Sequence, residues 1–234
     1  MPDKNQSYKK FSYDAHARTC APDDFLGQTR RTVQGVPVSE DQIQMIIAAI
    51  KSGLELAPAD VLLELACGNG YLSRLLFGYC QDYLGTDISE YLVSVAKKNF
   101  EALPHYQFLM SGATEYINLE PRPERFTKVL CYAGFQYFPD EQAYGILKAI
   151  FERFRNVRTI FIGNIPDRDR AANFYKTGLP SEEELSDSNT SIGIWRSMAG
   201  VERLAVGAGW QVQFSFMPAE FNGSHYRYDA LLRR

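Results

Sequence analysis

The chain has 234 residues, 45% hydrophobic and 23% charged, with 28 acidic against 25 basic side chains and a formal net charge of -3. That apolar share supports a packed core and excludes a disordered chain, and the length fits one domain better than two. The longest apolar run, Met45 to Ile50, is too short to cross a bilayer, the first eleven residues are polar, and a pI near 5.7 argues against holding nucleic acid by overall charge.

The expectation is therefore a cytoplasmic protein, monomer or homodimer, with neither a membrane nor a nucleic acid as partner. Cys20, Cys67, Cys80 and Cys131 lack the close spacing of a zinc or redox motif and read as reduced thiols. The three scattered histidines, His16, His105 and His225, form no metal constellation either.

Ser39, with Gln42 three residues on, reads as a capping box before the apolar stripe Ile43, Ile46, Ile47 and Ile50, a helix ended by Gly53 and Pro58. Val61 to Leu65 is a buried strand, followed by the turn Ala66-Cys67-Gly68-Asn69-Gly70 and a helix from about Tyr71. A second strand, Tyr83 to Thr86, leads to Asp87, and Ser89 can cap a helix striped by Leu92, Val95, Ala96 and Phe100. Tyr106 to Met110 and Lys128 to Tyr132 are further strands. Asp140 caps a helix carrying Ile146, Leu147, Ile150 and Phe154, and Thr159 to Ile162 is the fifth strand. A helix near Val201 to Ala208 stops at Gly209. Two strand-like runs follow, Trp210 to Met217 and His225 to Leu232, joined too briefly to be anything but antiparallel.

This alternation predicts an α/β, Rossmann-like fold: a seven-stranded, mostly parallel sheet with an antiparallel C-terminal strand and helices on both faces. One domain spans 1–234. Its cofactor-binding core is 59–163 and 199–234, with an N-terminal helical cap segment (1–58) and an insertion after the fifth strand (164–198) that covers the substrate. Within the insertion, Ser181-Glu182-Glu183-Glu184 reads as a solvated helix face.

Ligands of open α/β sheets bind beyond the strand C-termini, where the turn Glu64 to Gly70 lies. Gly68 and Gly70 allow close backbone approach, and the expected helix at Tyr71 turns its amide end to the same spot. Asp87, seventeen positions after Gly70, closes the next strand, where a carboxylate can accept from both hydroxyls of a ribose. An adenosine-containing cofactor follows. The dinucleotide fingerprint fails because Ser73 takes the place of its third glycine, and a Walker loop fails because no Lys follows the glycines.

Glu64-Leu65-Ala66-Cys67-Gly68-Asn69-Gly70 followed by Gly85-Thr86-Asp87-Ile88-Ser89 resembles the first two cofactor motifs of class I S-adenosylmethionine-dependent methyltransferases, of the bacterial small-molecule type. The resemblance implies S-adenosylmethionine as cofactor and S-adenosylhomocysteine as product. It implies that Glu64 orders the methionine end, that Ala66, Gly68 and Gly70 admit the cofactor, that Asp87 holds the ribose and that Ile88 flanks the adenine. The family often has Gly where Ala66 stands. It usually has an acid where Gly112 stands, which leaves adenine recognition to Gly112, Ala113 and Thr114. Cys131 opens the stretch that faces the reacting methyl group. That stretch, through Phe138, lacks the Asn/Asp-Pro-Pro-aromatic motif of base and amide methylation, the Asp of metal-dependent catechol-type enzymes and the paired glutamates of arginine methylation. A metal-independent transfer to N or O of a small acceptor, such as a sugar or amine, is the expectation.

The segment Asp24 to Gly35 also resembles an N-terminal part of bacterial small-molecule methyltransferases, which implies that Gln28 and Arg31 reach the cofactor carboxylate. It reads equally as a surface helix with solvated arginines. Gly163 to Arg168 resembles the same group. A hydroxyl acceptor benefits from a general base, for which Tyr137, Asp167 and His225 are the candidates. A non-catalytic cofactor-binding subunit and a nicotinamide-dependent oxidoreductase are the alternatives.

Overall fold

A computed structural model describes residues 13–234. Seven strands, β1 (Val61–Leu65), β2 (Asp82–Asp87), β3 (Tyr106–Met110), β4 (Lys128–Tyr132), β5 (Thr159–Pro166), β6 (Gln211–Ser215) and β7 (Arg227–Arg233), form one sheet in the order β3-β2-β1-β4-β5-β7-β6. β1 to β5 pair in parallel with one another, and β7 pairs antiparallel with both β5 and the edge strand β6. The strand order reverses between β1 and β4, and the crevice above their C-terminal ends is the place such sheets bind ligands.

Period-two alternation sorts the strand side chains to two cores. Leu62 and Leu130 face α1 (Glu40–Leu54) and α2 (Glu90–Phe100), with Ile43, Ile47, Val93 and Ala96. Leu63, Leu65 and Val129 face α3 (Ala113–Leu119), α4 (Asp140–Arg153) and α5 (Met198–Gly207), with Ile117, Ile146, Ile150 and Val201. Each fully buried aliphatic side chain contributes roughly 1.5–3 kcal/mol, so both faces hold the sheet flat against its helices. A small third cluster, Ala171, Leu185 and Trp195, lies inside the insertion.

Four local expectations fail, each for a tertiary reason. The segment after Tyr71 is two short 3-10 turns, Ser73–Leu75 and Phe77–Tyr79, rather than an α-helix. Few residues separate the turn from β2, and a 3-10 turn advances about 2.0 Å per residue against 1.5 Å for an α-helix, so it returns along the sheet sooner. Gly53 lies inside α1, where a Cβ would stand 2.4 Å from the Phe161 ring; left-handed Glu55 caps the helix instead. Ser39 makes no side-chain cap, and the reciprocal half of the expected box is also missing because the Gln42 side chain is drawn away to the far end of the chain: its amide donates to the Glu220 carbonyl (2.9 Å) and accepts from Asn222 N–H (2.8 Å). Asp140 is the first residue of α4 rather than its cap, and accepts instead from the Arg196 guanidinium (2.9 Å).

The fifth strand also outruns its expected end. A bulge between Ile162 and Ile165, with Asn164 at φ 65°, carries pairing on to Arg227 and Tyr228. Ser89 does cap α2, accepting from Leu92 N–H. In the described part of the N-terminal segment, residues 13–19 are helical, and the chain then forms the short turn Phe25–Gln28 and a hairpin pairing Thr32–Val33 with Val36–Pro37. The three glutamates of the insertion are exposed, on a one-turn helix that Ser181 caps.

Candidate functional site

Above the switch point lies a cavity of about 790 Å³. Its floor comes from the ends of β1, β2 and β4, and its walls from the hairpin segment, the insertion and the loop before β7. Asp87 is the joint of the floor. One carboxylate oxygen accepts from Gly68 N–H and the other from Ser89 N–H, both at 2.8 Å, tying the β1 turn to the start of α2. Burial raises its pKa, and these two hydrogen bonds pull the other way.

Gly68 lines the cavity at φ 59°, a left-handed conformation that costs any L side chain, and a Cβ there would meet only the Thr29 methyl, at 3.3 Å. A Cβ on Gly112 would meet nothing within 4 Å. The two positions form a backbone cradle that side chains would fill, which fits a flat nucleoside held beside Asp87. Ile88 and Ala113 line the same region.

Ala66 also lines the cavity and carries φ 59°, which explains the preference for Gly at that place. Ala66→Gly is expected to raise unfolding free energy by roughly 1 kcal/mol, because the left-handed strain of a Cβ is removed; the midpoint of a urea titration checks this.

Several expected cofactor contacts stand outside the cavity lining. Glu64 is 3% exposed and accepts from Ser73 Oγ and Tyr83 OH, each at 2.7 Å, behind the turn. Burial raises its pKa against those bonds. A Cβ on Gly70 would stand 2.7 Å from Phe108, so this glycine admits an aromatic ring and not a ligand. Gln28 is fully buried; its amide donates to the carbonyls of Ala21 and Pro22 and accepts from Asn69 Nδ2 (3.0 Å), bracing the N-terminal segment against the glycine turn. Thr114 Oγ1 accepts from Gln142, and it is Gln142 that lines the cavity. Cys131 is buried among the α4-side core residues.

Arg31 does line the cavity, its guanidinium 5.4 Å from the centre of the Tyr132 ring, so this segment is not a solvated surface helix. Burial lowers its pKa, while Tyr132 and Glu64 oppose that. Of the three candidate bases, Tyr137 and His225 both line the cavity. Tyr137 donates its hydroxyl to the Ser191 carbonyl (2.9 Å) and packs edge-on against Tyr13. Asp167 does not line it: 1% exposed, it accepts from Asp169 N–H and caps the turn that starts the insertion.

Tyr132 and Gln136 line the cavity within the stretch expected to face the methyl group, and the lining residues not named as candidates include Gln42, Gln142, Asn164 and Arg227. Arg227 donates to the Asn164 carbonyl (2.6 Å), across the β5 bulge. A polar side chain at or just past the end of an apolar strand was the available signal for Gln136 and Asn164. Beneath them Asp229, 2% exposed, accepts from Asn164 N–H (2.7 Å), and burial pushes its pKa up to about 6.

A carboxyl that ionises less readily when folded stabilises the fold below its unfolded value, near 4, and that contribution is lost as pH rises through about 6. Asp229→Asn keeps an oxygen for Asn164 N–H and removes the titration. The variant should gain on the wild type by on the order of 2 kcal/mol between pH 4 and pH 7.5, read from denaturation at both pH values.

Among the described residues, no group of three His, Cys, Asp or Glu side chains could hold a metal ion, and no helix is long and apolar enough to cross a membrane. All four cysteines are free.

Residues 62–156 match the family described as Methyltransferase domain. Solved structures with the same fold include a DhpI-SAM-HEP complex, at 15% identity and TM-score 0.66, covering 100% of both chains. Magnesium protoporphyrin IX methyltransferase from Synechocystis PCC 6803 with bound SAM matches at 14% and 0.61, covering 100% of this chain and 98% of that one. The methyltransferase domain of bacterial CtHen1-CN matches at 16% and 0.59, covering 83% and 99%. A search of curated protein sequences returned no match.

Proposed function

We propose that the protein is a class I S-adenosylmethionine-dependent methyltransferase, which the match of residues 62–156 to a methyltransferase domain family and the shared fold support, and that it methylates a nitrogen or oxygen of a small molecule enclosed in the cavity, without a metal. The observation that carries this reading is the cavity itself. At about 790 Å³ it falls within the roughly 300–1,000 Å³ typical of small-molecule sites, and the chain's own hairpin segment and insertion wall it. A net charge of -3 supports the exclusion of nucleic acid. In this reading 164–198 and the N-terminal segment are the substrate cover over a core at 59–163 and 199–234.

When bound, S-adenosylmethionine supplies an electrophilic methyl group on a sulfonium. Asp87 accepts from the ribose hydroxyls with the lone pairs left over from Gly68 and Ser89. Gly68 and Gly112 leave room for the nucleoside, Ile88 and Ala113 flank its base, and Arg31 meets its carboxylate. The protein's task is then placement: the walls hold the acceptor in line with the methyl group and keep water out. An amine needs only to arrive unprotonated. For a hydroxyl acceptor, His225 at the exposed rim takes the proton and passes it to solvent.

The test is methyl transfer from labelled S-adenosylmethionine to two pools, small amines, phenols and nucleotide sugars in one and RNA oligonucleotides in the other. Label in the small molecules supports the reading. Label only in RNA overturns it.

A further inference from the structure

The cavity is more basic than the molecule around it. Among the described residues its lining holds three arginines, Arg30, Arg31 and Arg227, against one carboxylate, Asp87, although the chain as a whole has a net charge of -3. The cofactor's ribose and carboxylate answer Asp87 and Arg31. Nothing in the cofactor answers Arg227, at the start of β7. Its Nη1 donates to the Asn164 carbonyl at 2.6 Å, and its guanidinium lies 4.8 Å from the centre of the Tyr226 ring, so the group is held by one edge and one face. Among the described residues the opposite edge, Nε and Nη2, makes no hydrogen bond, and Arg227 enters no ion pair. Neither nitrogen is sealed off: the side chain is half-buried and lines the cavity. Two parallel N–H donors on a guanidinium edge match the two oxygens of a carboxylate or phosphate. Asp229, two residues on, does not neutralise the arginine. That carboxyl accepts from Asn164 N–H, and burial raises its pKa with only this bond opposing. The carbonyl that anchors Arg227 lies in β5, three strands from Asp87, roughly 14 Å at about 4.8 Å per strand. A nucleoside seated on Asp87 therefore leaves this end of the cavity to the second substrate.

We propose that Arg227 is a specificity-determining residue that holds an oxyanion of the methyl acceptor, a carboxylate or a phosphate, so that the acceptor is an anionic small molecule methylated at a nitrogen or oxygen elsewhere on its frame. This rests on the small-molecule methyltransferase reading above. A cationic acceptor would meet Arg227 with like charge and would find no carboxylate at this end to offset it, since Asp167 and Asp229 both stand outside the lining. Phe174 and Tyr226 also line the cavity, with ring centres 4.7 Å apart, and give a flat frame apolar contact beside the guanidinium.

The experiment uses three probes of nearly equal size and different charge, benzoate, benzamide and benzamidine, together with phenyl phosphate, and measures their binding by ligand-observed NMR with saturating S-adenosylhomocysteine. In the wild type at least one of the two anions should bind about tenfold more tightly than neutral benzamide, and cationic benzamidine should bind most weakly. The tighter anion tells a carboxylate site from a phosphate site. Arg227→Gln should erase the preference while S-adenosylhomocysteine affinity stays within about twofold. Equal binding of anionic and neutral probes to the wild type, no binding of either anion, tightest binding of benzamidine, or a preference that survives Arg227→Gln overturns the proposal. A tenfold loss of S-adenosylhomocysteine affinity in that variant overturns it too, because the arginine then serves the cofactor. Should Arg227→Gln fail to fold, Arg227→Lys keeps the charge and loses the paired donors; it should weaken anion binding about fivefold and leave benzamide unchanged, and unaltered anion binding overturns the proposal. Failure of S-adenosylhomocysteine to bind the wild type at all overturns the methyltransferase reading, whereas normal S-adenosylhomocysteine binding without a charge preference overturns this proposal alone.

Discussion

Asp87→Ala should weaken S-adenosylhomocysteine binding about a hundredfold or more in calorimetry while leaving the circular dichroism spectrum of the fold in place. On the proposed ribose assignment, two charge-assisted hydrogen bonds, each worth roughly 1.5–3 kcal/mol, disappear together. A second loss compounds the first. Without the carboxylate, Gly68 N–H and Ser89 N–H lose the acceptor that joins the β1 turn to α2, so the cradle itself loosens. The stability change should be smaller than this count suggests, because burial already disfavours the ionised acid. Asp87→Asn keeps one oxygen and should fall between the two. Unchanged affinity in the Ala variant would contradict the ribose assignment.

Gly68→Val should abolish cofactor binding. The backbone at φ 59° is hostile to a β-branched residue, and its methyls must either press on Thr29 or enter the cavity. Strain of about 1–3 kcal/mol should lower the melting temperature by several degrees without unfolding the protein at 25 °C. Gly70→Ala is the informative contrast. Its new Cβ would strike Phe108 on the core side of the turn, so it should cost stability while the folded molecules still bind S-adenosylhomocysteine. If Gly68→Val binds S-adenosylhomocysteine normally, the cradle assignment fails.

The pair also shows what the sequence could and could not reveal. Gly68 and Gly70 are indistinguishable in a motif, since both adopt positive φ and both sit in one turn. Only the neighbours across space, Phe108 from β3 for one and an open cavity for the other, separate their roles. The sheet was legible because it is written in local periodicity: β1, β3 and β4 begin and end where the apolar pattern places them. Asp87 was legible because its position follows from strand length. Gln42 was not, because its partners, Glu220 and Asn222, lie far along the chain, and a Ser with Gln three residues on gives the same local signal whether or not it caps. Gln28, Thr114 and Asp167 stand outside the cavity for a related reason: each is a polar side chain near the site that is turned to a neighbour, Asn69, Gln142 and the Asp169 N–H respectively. Burial and partner, not residue type, decide whether such a group faces a ligand.

The sheet order has a consequence for how the molecule is made. β7 lies between β5 and β6, so β6 leaves the ribosome before the strand it must pair with exists. Until β7 slots in, β6 has no place on the sheet, Gly223 to Arg227 cannot close the cavity wall, and Asn164 has no Asp229 to hold its bulge. The cofactor turn and Asp87 can be formed in a nascent chain well before that moment. The enclosure that selects an acceptor is therefore the last part to be completed, and a chain cut before β7 could retain a nucleoside cradle while having no acceptor site to use it on.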